Sequence, residues 1–196
     1  MAYAGQILEN PVSGERIVFC KTSADTDGEL VAFELLLDPE GHVPGAHVHP
    51  EQEELFEVVK GTVKFQKGLK TIVARAGDTV VPSGTIHRFA NAGDGPAHVL
   101  VEVRPALRME QLLETATALA REGRTNRKGM PKPLELALFV REFEREVRVP
   151  LVPAVLVRAV LAPLARLAAR RGLEERYQQI PVGGSTHRSD TDQEAA

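Results

Sequence analysis

Between residues 15 and 104 the apolar residues fall into short apolar or alternating runs, at 16–21, 28–37, 55–65, 71–75, 79–82, 86–91 and 97–104. Turn-forming residues separate them: Asp38-Pro39-Glu40-Gly41, Val43-Pro44-Gly45, Lys67-Gly68, Ala76-Gly77-Asp78, Pro82-Ser83-Gly84 and the stretch from Asn91 to Pro96. Many short strands at this spacing bury their apolar faces by folding onto one another as a sandwich or barrel. This half of the chain is expected to be an all-β jelly roll.

At Leu107 the period changes. Met109, Leu112, Leu113, Ala116, Leu119 and Ala120 share one helical face, and Gly123 stands where a helix stops. A second stripe, Leu136, Phe139, Val140, Phe143 and Val147, follows Pro131-Lys132-Pro133 and is expected to run until Pro150 and Pro153 end it. A third, residues 154–171, is expected to bend or restart at Pro163 and to stop at Gly172. At 196 residues the chain suits one core with an appendage, since domains run to ~100–150 residues. The expected division is an N-terminal segment over 1–14, a β-barrel over 15–106, a helical extension over 107–178 packed on the barrel or a partner, and a disordered tail over 179–196.

The formal charge of −3 conceals an asymmetry: residues 1–103 carry 8 Lys and Arg against 15 Asp and Glu, whereas residues 104–178 carry 15 against 9. That basic excess is too modest for a nucleic-acid surface, and Glu135, Glu142, Glu144 and Glu146 sit on a helix that would have to approach phosphate. No nucleic-acid partner is expected. Arg158, Pro163, Arg166 and Arg170 argue against a membrane span over 154–171; contact with a membrane surface is the lesser reading beside packing on the parent domain. The single cysteine, Cys20, cannot form an internal disulfide, and its strand-like surroundings suit a buried thiol. The N-terminus lacks the basic start and apolar run of a secretory signal, and a cytoplasmic setting is expected.

The segment richest in chemistry runs from Gly41 to Gly61. His47 and His49, two apart on a strand, can present both imidazoles to one ion, and Glu54 on the following strand can close on it. Some forty residues later His87, just beyond a Pro-x-Gly turn, supplies a fourth ligand. A lone His-x-His is weak evidence, because histidines also decorate exposed strands. The joint pattern, with glycines at fixed offsets and a second block, is improbable by chance.

Gly41, His47, His49, Glu54 and Gly61 match the first motif of the cupin superfamily, G-x5-H-x-H-x4-E-x6-G, and Pro82, Gly84, His87 and Asn91 match its second. The chain therefore resembles a bacterial single-domain cupin with C-terminal helices. The one departure is the gap between Gly77 and Pro82, four residues where the family usually has five, which suggests a bulge or shifted turn there. The resemblance implies a mainly β fold, a cupin jelly-roll (double-stranded β-helix) barrel followed by α-helices, with one divalent metal in it.

Three imidazoles and one carboxylate suit Fe, Mn, Ni, Cu, Co or Zn better than Ca or Mg, which prefer all-oxygen cages. Phe56 and Phe89 share faces with ligands, and Phe33 and Phe65 join them as candidate pocket walls, which favours an apolar or aromatic small molecule. His98, Glu102 and Arg104 alternate on the last strand opposite an all-valine face, which reads as the better core and turns them outward. His42 and Glu53 read as solvent-facing neighbours of the ligands. No catalytic residue beyond the metal set is assigned. Oxygenation leads among the reactions considered, ahead of isomerase or lyase chemistry, and a non-catalytic binding or sensing module is the alternative. Leu30–Leu37 is apolar on both faces, so a homodimer or the C-terminal helices must cover one of them; a homodimer is expected.

Overall fold

The structure is a computed structural model and describes residues 1–82, 84–148 and 154–173. Nine strands come first: β1 (Ile7–Asn10), β2 (Glu15–Lys21), β3 (Val31–Leu37), β4 (Glu53–Lys60), β5 (Thr62–Lys67), β6 (Lys70–Arg75), β7 (Thr79–Val80), β8 (His87–Asn91) and β9 (Ala97–Arg104). Three helices follow, α1 (Met109–Arg121), α2 (Pro133–Glu142) and α3 (Ala154–Arg170). The strands form a six-stranded antiparallel sheet in the order β1-β2-β3-β9-β4-β7 and a three-stranded sheet in the order β6-β5-β8. Sequence neighbours such as β3 and β4 are thus separated by β9, the crossing expected of a jelly roll.

Alternation drives this arrangement. In β3, Val31, Phe33, Leu35 and Leu37 point inward, and in β9 so do Ala97, Val99, Val101 and Val103. Between the sheets Phe56, Phe65 and Phe89 pack with ring centroids 5.2–5.8 Å apart. The intervening residues of β9, His98, Glu102 and Arg104, face outward, where Arg104 pairs with Glu29 and Glu102. The valine face is the core one because it has no polar group to desolvate.

The two glycines of the first motif answer to close backbone approach. A Cβ on Gly61, whose φ is 86°, would lie 2.8 Å from the Cα of Ala97, and one on Gly41 would lie 2.8 Å from the Asp38 carbonyl. Asn91, in the second motif, is a structural clasp. Its Nδ2 donates to the carbonyls of Leu37, Asp38 and Gly95, and its Oδ1 accepts from the Gly93 N–H.

Several expectations change in three dimensions. Residues 7–10, inside the N-terminal segment, pair with β2 as the edge strand of the large sheet. Cys20 lies in a strand as expected but is exposed, because Phe19 takes the inward position. Between Gly77 and Pro82 the chain forms the two-residue strand β7, and register shifts fall instead at Phe19/Lys21 and Val58/Lys60. The helix α2 ends at Glu142 rather than near Pro150; the chain then turns so that Arg148 bridges to Val48. Pro163 lies inside α3, and Gly172 follows that helix with φ 67°. The expected tail over 179–196 lies outside the described residues. Among the described residues no helix is long and apolar enough to cross a membrane.

Candidate metal centre

Two backbone hydrogen bonds bring the histidine-bearing segments together: His47 N–H donates to the His87 carbonyl at 3.0 Å, and His87 N–H to the His47 carbonyl at 2.8 Å. Opposed residues of such a bridge present their side chains on the same side. The ring centroids of His47 and His87 accordingly lie 4.5 Å apart, and His49, two residues on, comes within 4.9 Å of His47. The second residue of β4, Glu54, closes the group, with its Oε2 2.9 Å from His87 Nε2 and 3.2 Å from His49 Nε2. One ligand atom from each of the four lies within 4.8 Å of all the others, so the set can hold a metal ion.

Hydrogen bonding at the far side of each ring orients all three imidazoles. The Nδ1 of His47 meets the Gly45 carbonyl at 3.1 Å, that of His49 the Glu146 carbonyl at 2.6 Å, and that of His87 the Thr85 carbonyl at 2.9 Å. A carbonyl can only accept, so each Nδ1 carries the hydrogen, and in the neutral ring the Nε2 lone pair faces the cluster. With all three rings neutral, three such lone pairs and the Glu54 carboxylate converge where a cation would sit. His49 Nε2 is buried and lacks an aligned hydrogen-bond partner. This donor set fits a divalent transition metal, whose ligating histidines ordinarily have their second nitrogen anchored in this way.

Electrostatics agree with a cation site. Burial raises the Glu54 carboxyl, but His49 and His87 beside it outweigh burial and hold it well below the usual carboxylate range. Burial, reinforced by His49 and His87, pushes His47 down to about 4, which keeps it neutral and available. Burial also lowers His49, yet the Glu54 carboxylate wins and raises it.

Beside the cluster opens a cavity of about 210 Å³. Phe33, Phe56 and Phe89 line it, as the sequence suggests, whereas Phe65 is 1% exposed and packs behind them in the core. The larger surprise is the roof. Leu112, Leu113 and Ala116 of α1 and Leu136, Phe139 and Val140 of α2 form one wall, so the helical extension covers part of the barrel mouth. Helical periodicity marks these residues as an apolar face but cannot say what that face covers.

Sequence reasoning also missed Glu15. From β2 it enters the same cavity with Asn10 of β1. It accepts a 2.5 Å hydrogen bond from the Ser13 hydroxyl, and burial outweighs both that bond and nearby His42 to push its carboxyl from 4.5 up to about 7. Only a carboxyl at an inward-facing strand position betrays it, alternating with Ile17 on the buried face. His42 lies outside the metal group, with its Nδ1 against the Glu40 carbonyl, and Glu53 is exposed at the start of β4.

Residues 33–103 match the family model described as a cupin domain. Among solved structures, the chain is similar to a sugar phosphate isomerase from a cupin superfamily of Silicibacter pomeroyi (23% identity over 47% of this chain and 60% of that one, TM-score 0.42). It is similar also to a predicted oxalate decarboxylase from Thermotoga maritima (19% identity, 52% of this chain and 92% of that one, TM-score 0.46). A third is an uncharacterized conserved protein with a double-stranded β-helix domain from Klebsiella pneumoniae (17%, 55% and 84%, TM-score 0.41). The chain thus spans about 60% of the length of the isomerase. No curated protein matches the chain.

Proposed function

We propose that this chain, whose residues 33–103 match the cupin domain, is a divalent-metal-binding cupin acting on a small organic molecule held in the cavity beside His47, His49, Glu54 and His87. One observation carries the reading: three imidazoles, each anchored at Nδ1 by a backbone carbonyl, turn Nε2 toward a carboxylate at the edge of an apolar cavity. A transition metal bound there supplies Lewis-acid chemistry and, for a redox metal, a position for dioxygen. The protein contributes the remainder. Phe33, Phe56 and Phe89 exclude water on one side, and the helical wall does so on the other. Glu15, poised near neutrality within the cavity, can accept or return a proton at its carboxyl oxygen, which is the general acid–base group the sequence did not reveal.

Oxygenation is the first reaction to test, and proton-transfer isomerisation the second, because Glu15 suits it. We further propose a homodimer formed through the outer face of the six-stranded sheet, where Val18, Leu36 and Leu100 remain only partly covered. The functional test is metal analysis of protein purified without added metal, repeated on His49→Ala, then an oxygen-uptake and substrate-analogue screen on the loaded form. About one equivalent of iron, manganese, nickel, copper, cobalt or zinc, lost in the variant, supports the site. No metal after reconstitution overturns it, and full metal occupancy without any turnover favours a binding or sensing module instead.

A further inference from the structure

The cavity has an unusual division of labour: its floor belongs to the barrel and its roof to α1, α2 and the loop between them, where Met130 also faces inward. Polar groups enter it from few directions, the metal-ligand cluster, Thr117 of α1 and the β1–β2 hairpin with Asn10 and Glu15. Among the described residues lining it, Arg148 is the one permanent cation, and that side chain is exposed with its Nε donating to the Glu144 carbonyl. Among the described lining residues no buried guanidinium or ammonium is therefore available to receive a phosphate or a second carboxylate, groups whose desolvation demands such a partner. The Oδ1 of Asn10 is occupied too, because it accepts from the N–H groups of Val12 and Ser13.

We propose that this shared cavity is a binding site for a largely apolar, uncharged organic molecule, aromatic or alicyclic, with one oxygen directed to the metal cluster and a hydroxyl or carbonyl facing Glu15. The helical extension is then half of the ligand site. This rests on the functional reading above and deepens it by naming the ligand class. Sugar phosphates and dicarboxylates are disfavoured on two grounds: no cation waits for their second charge, and an ionised Glu15 repels it. An apolar body is favoured because aliphatic and aromatic side chains from both halves surround it and remove its apolar surface from water.

A matched pair of fluorescent probes tests the class on metal-free, full-length protein. N-phenyl-1-naphthylamine is neutral, and 1-anilinonaphthalene-8-sulfonate is the same ring system with one added anion. The neutral probe is expected to saturate at one equivalent and to bind at least tenfold tighter than the sulfonate. Ala116→Trp, which fills the cavity from α1, should weaken it at least tenfold while metal content stays that of the wild type. The chain contains no tryptophan, so Phe139→Trp adds a sole donor whose emission the bound probe should quench, which locates the probe even if Ala116→Trp folds poorly. Absence of neutral-probe binding, equal cavity binding of the sulfonate, or no quenching in Phe139→Trp overturns the proposal. Because the probes are read without metal, loss of the metal reading leaves this result interpretable, and the converse also holds.

Discussion

The Nδ1 of His49 lies 2.6 Å from the backbone carbonyl of Glu146, ninety-seven residues away. A histidine of the candidate metal centre is thus oriented by the helical extension. The same Glu146 is 2% exposed, and its Oε1 accepts from the Arg108 N–H at the start of α1. Two hydrogen bonds between Val48 and Arg148, of 3.3 and 2.9 Å, hold that segment against the ligand loop.

Glu146→Ala is therefore expected to act at two sites. Loss of the acceptor for a part-buried N–H should cost about 1–3 kcal/mol, and loosening of the carbonyl that anchors His49 should weaken metal binding by about tenfold or more. Urea unfolding measures the first, and a competitive chelator titration the second. Unchanged metal affinity would show that the extension does not support the site.

Glu54→Gln keeps the side chain's shape and removes its charge. The expected result is metal content reduced to a small fraction of the wild-type value, read by elemental analysis, because three neutral imidazoles alone lack the anionic ligand. Retention of a full equivalent would remove Glu54 from the ligand set.

Glu15 sets a pH dependence with a defined sign. Its folded-state pKa of about 7 exceeds the ordinary 4.5, so the folded protein holds a proton that the unfolded chain has released. Its contribution is fully present below the unfolded value and is lost as pH rises through about 7. Glu15→Gln, which mimics the protonated form, should raise Tm more at pH 8 than at pH 5. Scanning calorimetry at the two values checks this, and equal shifts would mean that the carboxyl is not held protonated by burial.

Phe65 packs in the core and does not line the cavity. Phe65→Ala should cost about 3–5 kcal/mol of stability, measured by urea titration, because its ring packs against both Phe56 and Phe89. Phe139→Ala, at the cavity wall, should cost less and mainly weaken the neutral probe.

The outer sheet face provides a final test. Light scattering should give the mass of a dimer, and Leu36→Glu, which places a charge on the outer face of β3 between Arg16 of β2 and His98 of β9, should give that of a monomer. A monomeric wild type would leave the partly covered face of β3 without this partner.

Much of the site was legible because its information is local. The spacing of His47, His49 and Glu54 follows from the two-residue period of strands, and Pro82, Gly84 and Asn91 mark the turn and clasp around His87. The outward turn of His98, Glu102 and Arg104 was equally readable, since the valines between them form the only face without a desolvation cost. Cys20 was misjudged because a run of apolar residues does not say which alternating set faces inward; Ile17 and Phe19 take the inward positions, and Cys20 is left exposed.

By itself, then, the sequence determined the strand runs from β2 onward, the helical stripes and the four convergent side chains, all of which depend on residues near one another along the chain. Only the tertiary structure decided that α1 and α2 roof the barrel, that Glu15 shares its cavity and that Glu146 anchors His49. Those relationships join segments up to about a hundred residues apart, and no periodicity encodes which apolar face meets which; packing and the satisfaction of buried backbone groups select the partner.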